Sequence, residues 1–168
     1  MNRSIEDTKY VFHPPKYSRF WASIIYPFAD IFFRRRAQKV MSVKAMSGVE
    51  DLRRLAVSGD GILITPNHSD HCDPLALMSI TREMNIPVNF MATREIFERQ
   101  KGFRGFLMQR MGCFSINREG ADIQAIKTAM QILSNAKYPL VMFPEGEIYH
   151  TNEHLTPLNE GAATLALK

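Results

Sequence analysis

The stretch Gly61-Ile-Leu-Ile-Thr-Pro-Asn-His68-Ser-Asp-His-Cys-Asp73-Pro-Leu-Ala-Leu-Met-Ser-Ile80 decides how this chain folds. It opens with an apolar run typical of a buried strand and closes with a second apolar run that follows Asp73 and Pro74. An Asp at the N-cap with Pro at the first helical position is a strong helix start. The stretch therefore predicts a strand, a short polar connection and a helix.

The polar connection carries the first candidate site. His68 and Asp73 are five positions apart, a spacing that lets the carboxylate fold back on one imidazole nitrogen while the other faces a cleft. A histidine held in this way is a general base that can take a proton from a hydroxyl. Two other interpretations fit the same residues. Asp73 could be only a helix cap with His68 a polar strand end. Alternatively, the segment could contribute to a metal site through His68, Asp70, His71, Cys72 and Asp73. The later histidines, His150 and His154, form no second ligand cluster, so we expect no metal.

Length and composition indicate one ordinary globular domain with a modest positive charge. The chain has 168 residues, of which 45% are apolar and 23% are charged, with a net charge of +4. Part of the charge lies in Arg34-Arg35-Arg36 and Lys39 beside an apolar segment, which favours an anionic surface as partner over nucleic acid. The two cysteines form no metal or redox motif and fit a reducing cytosol.

Residues 20–40 form an apolar and basic segment that predicts an amphipathic helix. Its apolar run, Phe20 to Phe33, is too short and too interrupted by Pro27 and Asp30 for an ordinary membrane span. Apolar residues at positions 20, 21, 24, 25, 28, 31 and 32 fall on one helical face. This face fits either a membrane interface or the core of the domain itself, and Pro27 is expected to kink or break the helix in both cases.

The remainder of the chain alternates strand-like and helical runs. This alternation predicts an α/β fold with a largely parallel sheet flanked by helices, in addition to the N-terminal amphipathic helical segment. Strands are expected near 62–65, 88–92, 113–116 and 140–143, and helices near 49–57, 74–84 and 121–135. Gly102 and Gly105 predict a mobile connection. The predicted organisation is a lead-in and membrane-interface segment over 1–42 and a domain over 43–168.

The last residues, 161–168, have the pattern of an unfinished helix with no stop signal. Because another strand would normally follow such a helix in an α/β domain, we expect the chain to be a fragment or a naturally shortened version, lacking the C-terminal part of its domain.

Four segments, taken in order, resemble the glycerolipid acyltransferase family, which includes bacterial 1-acylglycerol-3-phosphate acyltransferases. The first is the His68…Asp73 pair with four residues between. The others are Gly112-Cys-Phe-Ser-Ile-Asn-Arg118, the turn Phe143-Pro-Glu-Gly146 and Leu155-Thr-Pro-Leu-Asn-Glu-Gly-Ala162. The last of these resembles the approach to a proline-containing block that this chain does not reach. The resemblance covers roughly residues 43–168.

The resemblance implies transfer of a fatty acyl group from acyl-CoA or acyl carrier protein to the hydroxyl of a glycerolipid-type acceptor, such as 1-acylglycerol-3-phosphate. His68 would be the general base, oriented by Asp73. Arg118 would bind the acceptor phosphate through parallel charged hydrogen bonds, and Glu145 and Gly146 would contact the acceptor, Glu145 either directly or through a positioning arginine. Two alternatives stay open: Arg118 could be a surface arginine paired with Glu119 or Asp122, and Glu145-Gly146 could be a plain turn at the end of a strand. No metal or redox cofactor is implied, and a peripheral position on the cytoplasmic face of a membrane is expected.

The sequence also departs from the family pattern. Glu147-Ile148-Tyr149 follow the Phe-Pro-Glu-Gly turn where the phosphate-acceptor enzymes commonly have Thr-Arg-Ser, and Ser115 stands where an aromatic residue is usual. An arginine replaced beside an added carboxylate weakens phosphate binding, so other alcohols remain open as acceptors.

Two other functions remain open. One is a thioester or ester hydrolase that uses the same His-Asp pair, although no Gly-x-Ser-x-Gly motif is present. The other is a non-catalytic lipid-binding fragment. If an acyl-chain tunnel exists, its candidate lining residues are Phe97, Phe103, Phe106, Met108 and Met111.

Overall fold

A parallel sheet of four short strands forms the centre of the protein. The computed structural model describes residues 10–37, 47–98, 102–150 and 157–167. The strands are β1 (Leu63–Ile64), β2 (Asn89–Thr93), β3 (Cys113–Ile116) and β4 (Leu140–Val141), in the spatial order β1-β4-β2-β3. Every pairing between these strands is parallel. The predicted α/β fold with a parallel sheet is therefore confirmed.

Helices connect and cover the strands. Most of them lie close to the positions expected from the sequence, but the two helices between β2 and β3 were not expected. They are α1 (Arg19–Ala37), α2 (Val49–Ser58), α3 (Asp73–Glu83), α4 (Arg94–Glu98), α5 (Phe103–Arg110), α6 (Ile123–Asn135) and α7 (Glu160–Ala166). The start of the lead-in (1–9), the end of the N-terminal segment (38–42) and His154 lie outside the described residues.

The alternation of side chains along the strands builds one apolar cluster on each face of the sheet. Cys113 and Val141 belong to one cluster, whereas their chain neighbours Phe114 and Leu140 belong to the other. Successive strand residues point to opposite faces, so four short strands supply both clusters. Helices α1, α3, α4 and α5 pack on the first cluster, and α6 and α7 on the second.

Helix α1 continues through Pro27, so the expected break in this helix does not occur. Proline removes one backbone hydrogen bond from the helix, and the turn that precedes Pro27 is packed against the rest of the protein. Ala22 is 3% exposed, and Ile25 and Tyr26 pack against the first apolar cluster. None of the helices in the described residues combines the length and apolar character needed to cross a membrane.

The expectation of a mobile connection at Gly102 and Gly105 is wrong for the part that the structure describes. Gly105 is buried within α5, and a Cβ there would lie 2.6 Å from the backbone oxygen of Phe97. This glycine thus permits α5 to pack directly on α4, which a sequence reading based on loop propensity does not detect.

Residues 10–18 run beside β3 and α5 and explain the serine at position 115. Ser115 is fully buried, and its Oγ accepts a hydrogen bond from the His13 amide at 2.8 Å while its own amide donates to the His13 oxygen at 3.0 Å. The Tyr10 hydroxyl lies 2.8 Å from the same Oγ. A larger aromatic side chain at position 115 would occupy the space that this segment fills.

Asp122 joins three parts of the chain at the start of α6. Its Oδ1 accepts from the amide of Ala125 at 3.0 Å, and its Oδ2 accepts from the Asn117 amide at 3.0 Å and the Tyr10 hydroxyl at 2.8 Å. Burial raises the pKa of Asp122, but these hydrogen bonds outweigh it and the net pKa lies below the ordinary value of 3.8. Burial is also the main reason that the pKa of Tyr10 rises to about 12.

Replacement of Asp122 by Ala is expected to lower the free energy of unfolding by about 1–2 kcal/mol, because the helix loses its cap. Asp122→Asn retains an acceptor and should cost less. Because the folded-state pKa is depressed, the carboxylate's contribution is complete above pH 3.8 and is lost as the pH falls through the lower folded value. Urea unfolding at several pH values measures both effects. Equal stability of the wild type and Asp122→Ala at neutral pH would contradict the assignment.

Candidate active site

The predicted site residues gather where β1 and β4 end. These two strands are neighbours in the sheet, with Ile64 paired to Val141. His68 follows β1 and Glu145 follows β4, so both lie at the carboxyl edge of the parallel sheet. Ligand crevices in open α/β sheets form at this edge.

The central contact joins His68 to Asp73. The imidazole Nδ1 of His68 lies 3.1 Å from Asp73 Oδ2, and each side chain is 14% exposed. An ionised carboxylate can only accept, so Nδ1 carries the proton and Nε2 is left as the basic nitrogen. The imidazole also stacks on Phe143, with ring centroids 4.1 Å apart and an interplanar angle of 26°. The ring is thus held both by a hydrogen bond and by an apolar surface.

The Asp73 carboxylate also binds the backbone of the polar loop that precedes α3. Its Oδ2 also accepts from the backbone amides of Ser69 and Asp70, each at 2.8 Å. The prediction that Asp73 is the N-cap is wrong by one residue, because α3 begins at Asp73 and its N-cap is Cys72. The Asp73 side chain therefore binds residues that precede it in the chain, namely His68 and the loop amides, so its role extends beyond the start of the helix.

Glu145 connects the turn that follows β4 (Phe143–Gly146, the β4 turn) to the loop that contains His68. It is 8% exposed, and its Oε1 accepts a hydrogen bond from the backbone amide of His68 at 2.7 Å. This contact fixes the backbone of His68 relative to the strand next to β1. The predicted contact between Glu145 and an acceptor stays a prediction.

Gly146 and Arg118 meet at the rim of the site. Gly146 has φ +74°, a left-handed conformation that favours glycine, and a Cβ there would lie 2.8 Å from Asn159 Nδ2. The exposed Arg118 donates from Nη1 to the carbonyl oxygen of Gly146. The five predicted residues thus form a contiguous group, linked in turn through Asp73, His68, the β4 turn and Arg118.

Sequence reasoning missed a buried arginine beside this group. Arg94 is 4% exposed at the end of β2, and its Nη2 lies 3.4 Å from Glu119 Oε2. The ion pair braces the loop that carries Arg118. No sequence signal marks Arg94, because arginine is normally an exposed residue and its burial depends on tertiary packing.

Sequence reasoning considered Asp70 only as a possible metal ligand and missed its role in shaping the loop. Its side chain accepts from the Cys72 amide at 2.7 Å, the Asx turn that aspartates favour in loops. This hydrogen bond is the main reason that the pKa of Asp70 lies below its ordinary value, and electrostatic interactions with His150 and His71 lower that pKa further. His71 and His150 lie with ring centroids 6.0 Å apart. Among the described residues, no group of three or more His, Cys, Asp or Glu side chains has the arrangement of a metal site.

The candidate tunnel lining does not form one surface. Phe97 and Met111 are buried in the first apolar cluster, with 0% and 4% exposure, and Met108 packs against it. Phe103 is 62% exposed and Phe106 is 37% exposed. These five side chains were grouped by sequence proximity and apolar character, whereas packing divides them between core and surface.

Comparison with known proteins identifies the family of the chain. The Acyltransferase family model matches residues 43–168. A 1-acyl-sn-glycerol-3-phosphate acyltransferase of Streptococcus pneumoniae (strain ATCC BAA-255 / R6) is 30% identical over 105 residues, a match that covers 62% of this chain but only 36% of that relative. No solved structure matches the chain significantly. Because the family model covers most of the sequence and includes every predicted site residue, the chain belongs to the acyltransferase family.

Proposed function

We propose that this protein transfers a fatty acyl group from the thioester of acyl-CoA or acyl carrier protein to a hydroxyl of a glycerolipid-type acceptor. Family membership supports the reaction class. The 3.1 Å contact between His68 Nδ1 and Asp73 Oδ2 carries the proposal, because it orients a basic imidazole nitrogen at the carboxyl edge of the sheet. The similarity to a 1-acyl-sn-glycerol-3-phosphate acyltransferase makes 1-acylglycerol-3-phosphate the first acceptor to test.

In the proposed reaction, His68 Nε2 takes the proton of the acceptor hydroxyl as its oxygen attacks the thioester carbonyl carbon. The carbon–sulfur bond then breaks, an ester forms, and the imidazolium returns the proton to the departing thiolate. Asp73 fixes the tautomer and stabilises the imidazolium between these steps. No metal or redox cofactor takes part in this scheme.

Glu145 acts in this scheme as a positioning residue. Its hydrogen bond to the His68 amide is formed in a nearly buried environment, where such a bond is strong. It would keep the imidazole at a constant distance from an acceptor held near the β4 turn. Gly146 would allow the acceptor to approach the backbone of that turn closely.

Arg118 is the residue we propose for acceptor recognition. One of its nitrogens is engaged by the Gly146 carbonyl, which aims the guanidinium at the rim of the site. The remaining donors of the planar fork suit a phosphate. Glu147, directly after the turn, adds a negative charge nearby in sequence and favours acceptors less anionic than those of enzymes with Thr-Arg-Ser there.

We further propose a peripheral position at the cytoplasmic face of a membrane, mediated by α1. Among the α1 side chains that the structure describes, four large apolar ones are exposed: Phe20 by 68%, Ile24 by 41%, Phe28 by 70% and Ile31 by 49%. Their spacing places them on one side of the helix, away from the buried Ala22. Arg34, Arg35 and Arg36 follow in sequence and would add attraction to anionic lipids.

His68→Ala is expected to lower the acyl transfer rate by about 10²- to 10⁴-fold, because the general base is lost. Asp73→Asn should cost less, since the imidazole remains but loses its orientation. His71→Ala, which removes an exposed histidine three positions away, is the matched control and should retain activity. A radiolabelled acyl-CoA assay measures the rates, and thermal melts verify folding. A folded His68→Ala variant with more than a few per cent of wild-type activity would exclude His68 as the base.

The same assay separates the proposed transfer from the two alternatives. Label should appear in an acylated lipid when a lysolipid acceptor is supplied. Release of free fatty acid irrespective of acceptor would identify a hydrolase. Saturable lysolipid binding with no product of either kind would identify a lipid-binding fragment.

Arg118→Ala is expected to raise the KM for a phosphate-bearing acceptor roughly tenfold and to leave the KM for the acyl donor nearly unchanged, because a charged hydrogen bond to the acceptor is lost. Arg54→Ala on α2 removes another exposed arginine distant in sequence and should alter neither constant. Initial-rate kinetics with each substrate varied in turn provide the measurement. An equal effect on both substrates would mean that Arg118 acts structurally or contacts the donor.

Phe20→Ser combined with Phe28→Ser should reduce flotation with anionic vesicles about tenfold for each phenylalanine, because apolar contact with the bilayer is lost. The matched control is Leu55→Ser combined with Val57→Ser, which removes two exposed apolar side chains from α2. Binding of the wild type should also weaken as salt is added. Failure of the wild type to float would contradict membrane docking, and resistance to both salt and carbonate would indicate deeper insertion.

A further inference from the structure

A crevice with polar walls lies far from the candidate active site. It has a volume of about 250 Å³ and forms where the first turns of α1 meet the last turn of α3 and the residues before β2. Its polar lining consists chiefly of Tyr17, Arg19, Ser23, Tyr26, Arg82 and Asn85. Asn85 precedes β2, whereas His68 follows β1. In a parallel sheet this places the crevice at the amino ends of the strands and the candidate active site at their carboxyl ends.

The chemistry of the crevice favours an anion. Arg19 and Arg82 supply two guanidinium groups, and no carboxylate lines the walls. Within the described residues neither arginine has an Asp or Glu oxygen within ion-pair distance. Two uncompensated cations facing a common cavity create a positive potential that attracts a negative group.

Two phenols complete the set of donors. Burial raises the pKa of Tyr26 well above its ordinary value, and burial likewise raises the pKa of Tyr17. Both hydroxyls therefore keep their protons and can donate hydrogen bonds. The two arginines act electrostatically on these phenols, Arg82 on Tyr26 and Arg19 on Tyr17, so each cation lies near a hydroxyl donor.

The crevice also adjoins the exposed apolar face of α1. Arg19 and Ser23, which line it, each immediately precede a member of that face, Phe20 and Ile24. Consecutive helical residues are about 100° apart around the axis, so the mouth of the crevice borders the apolar face. A cationic pocket beside exposed aromatic side chains matches the boundary between phosphate headgroups and acyl chains in a bilayer.

We propose that this crevice binds the phosphate group of a phosphate ester, independently of the acyl-transfer site. Pockets for drug-sized ligands typically measure about 300–1,000 Å³, so this smaller crevice suits a headgroup and not a whole lipid. The headgroup phosphate of an anionic membrane lipid and a soluble glycerol phosphate share the required chemistry. The lipid would anchor α1 in a defined orientation, whereas the soluble ester would report on precursor supply.

The test uses the full chain with two kinds of crevice variant. Arg19→Gln combined with Arg82→Gln removes both cations, and Ser23→Phe blocks the crevice without a change in charge. Arg53→Gln combined with Arg54→Gln, on exposed α2, is the control with the same change in net charge. All three altered crevice residues are exposed, and far-UV circular dichroism with thermal melts verifies folding.

Two probes distinguish the sources of the phosphate. Vesicles of phosphatidylcholine with and without phosphatidate report lipid binding, and titration with glycerol 3-phosphate reports soluble binding. For a lipid ligand, the phosphatidate-dependent binding should fall roughly fivefold for each arginine removed, and Ser23→Phe should weaken it as well. For a soluble ligand, the crevice variants should lose affinity for glycerol 3-phosphate while vesicle binding is unchanged. If neither probe separates the crevice variants from the α2 control, the proposal is wrong.

Discussion

The organisation of the site depends on one carboxylate oxygen. Asp73 Oδ2 accepts from the His68 imidazole and from the amides of Ser69 and Asp70, at 3.1, 2.8 and 2.8 Å. These two amides lie outside the strands and helices, so no regular backbone hydrogen bond pairs them. The carboxylate is the acceptor that satisfies both donors. The same oxygen therefore shapes the loop and orients the imidazole. Loop folding and the geometry of the proposed base are inseparable.

The parallel sheet supplies the second constraint. Because β1 and β4 are neighbours, the loops after them meet at one edge although they are about eighty residues apart in sequence. The hydrogen bond from the His68 amide to Glu145 and the stacking of the His68 ring on Phe143 both cross this junction. Two residues in each of β1 and β4 are enough to bring the loops that follow these strands together.

The N-terminal segment is joined to the family domain by specific contacts. The backbone of His13 bonds to Ser115, and Tyr10 bonds to Asp122, so residues before α1 contribute to the sheet face and the α6 cap. Helix α1 then presents one side to the core and another to solvent. Ala22 and Ile25 pack in the core, as one interpretation of this helix expects, whereas Phe20 and Phe28 are exposed. Contact of the exposed side with a membrane stays a prediction.

The sequence by itself determined the fold class and the order of the strands, and it selected five candidate site residues that the structure places in one group. Alternating apolar runs of different period predict strands and helices locally, and the His68–Asp73 spacing predicts a contact that forms within a single loop. Only the tertiary structure decided that Arg94 is buried against Glu119, that Gly105 lies against Phe97, and that Ser115 receives the N-terminal segment. These contacts join residues that are separated in the chain or lie across elements, and no local pattern encodes them. They follow from the relative positions of elements, which the sheet order and the packing of two apolar clusters establish.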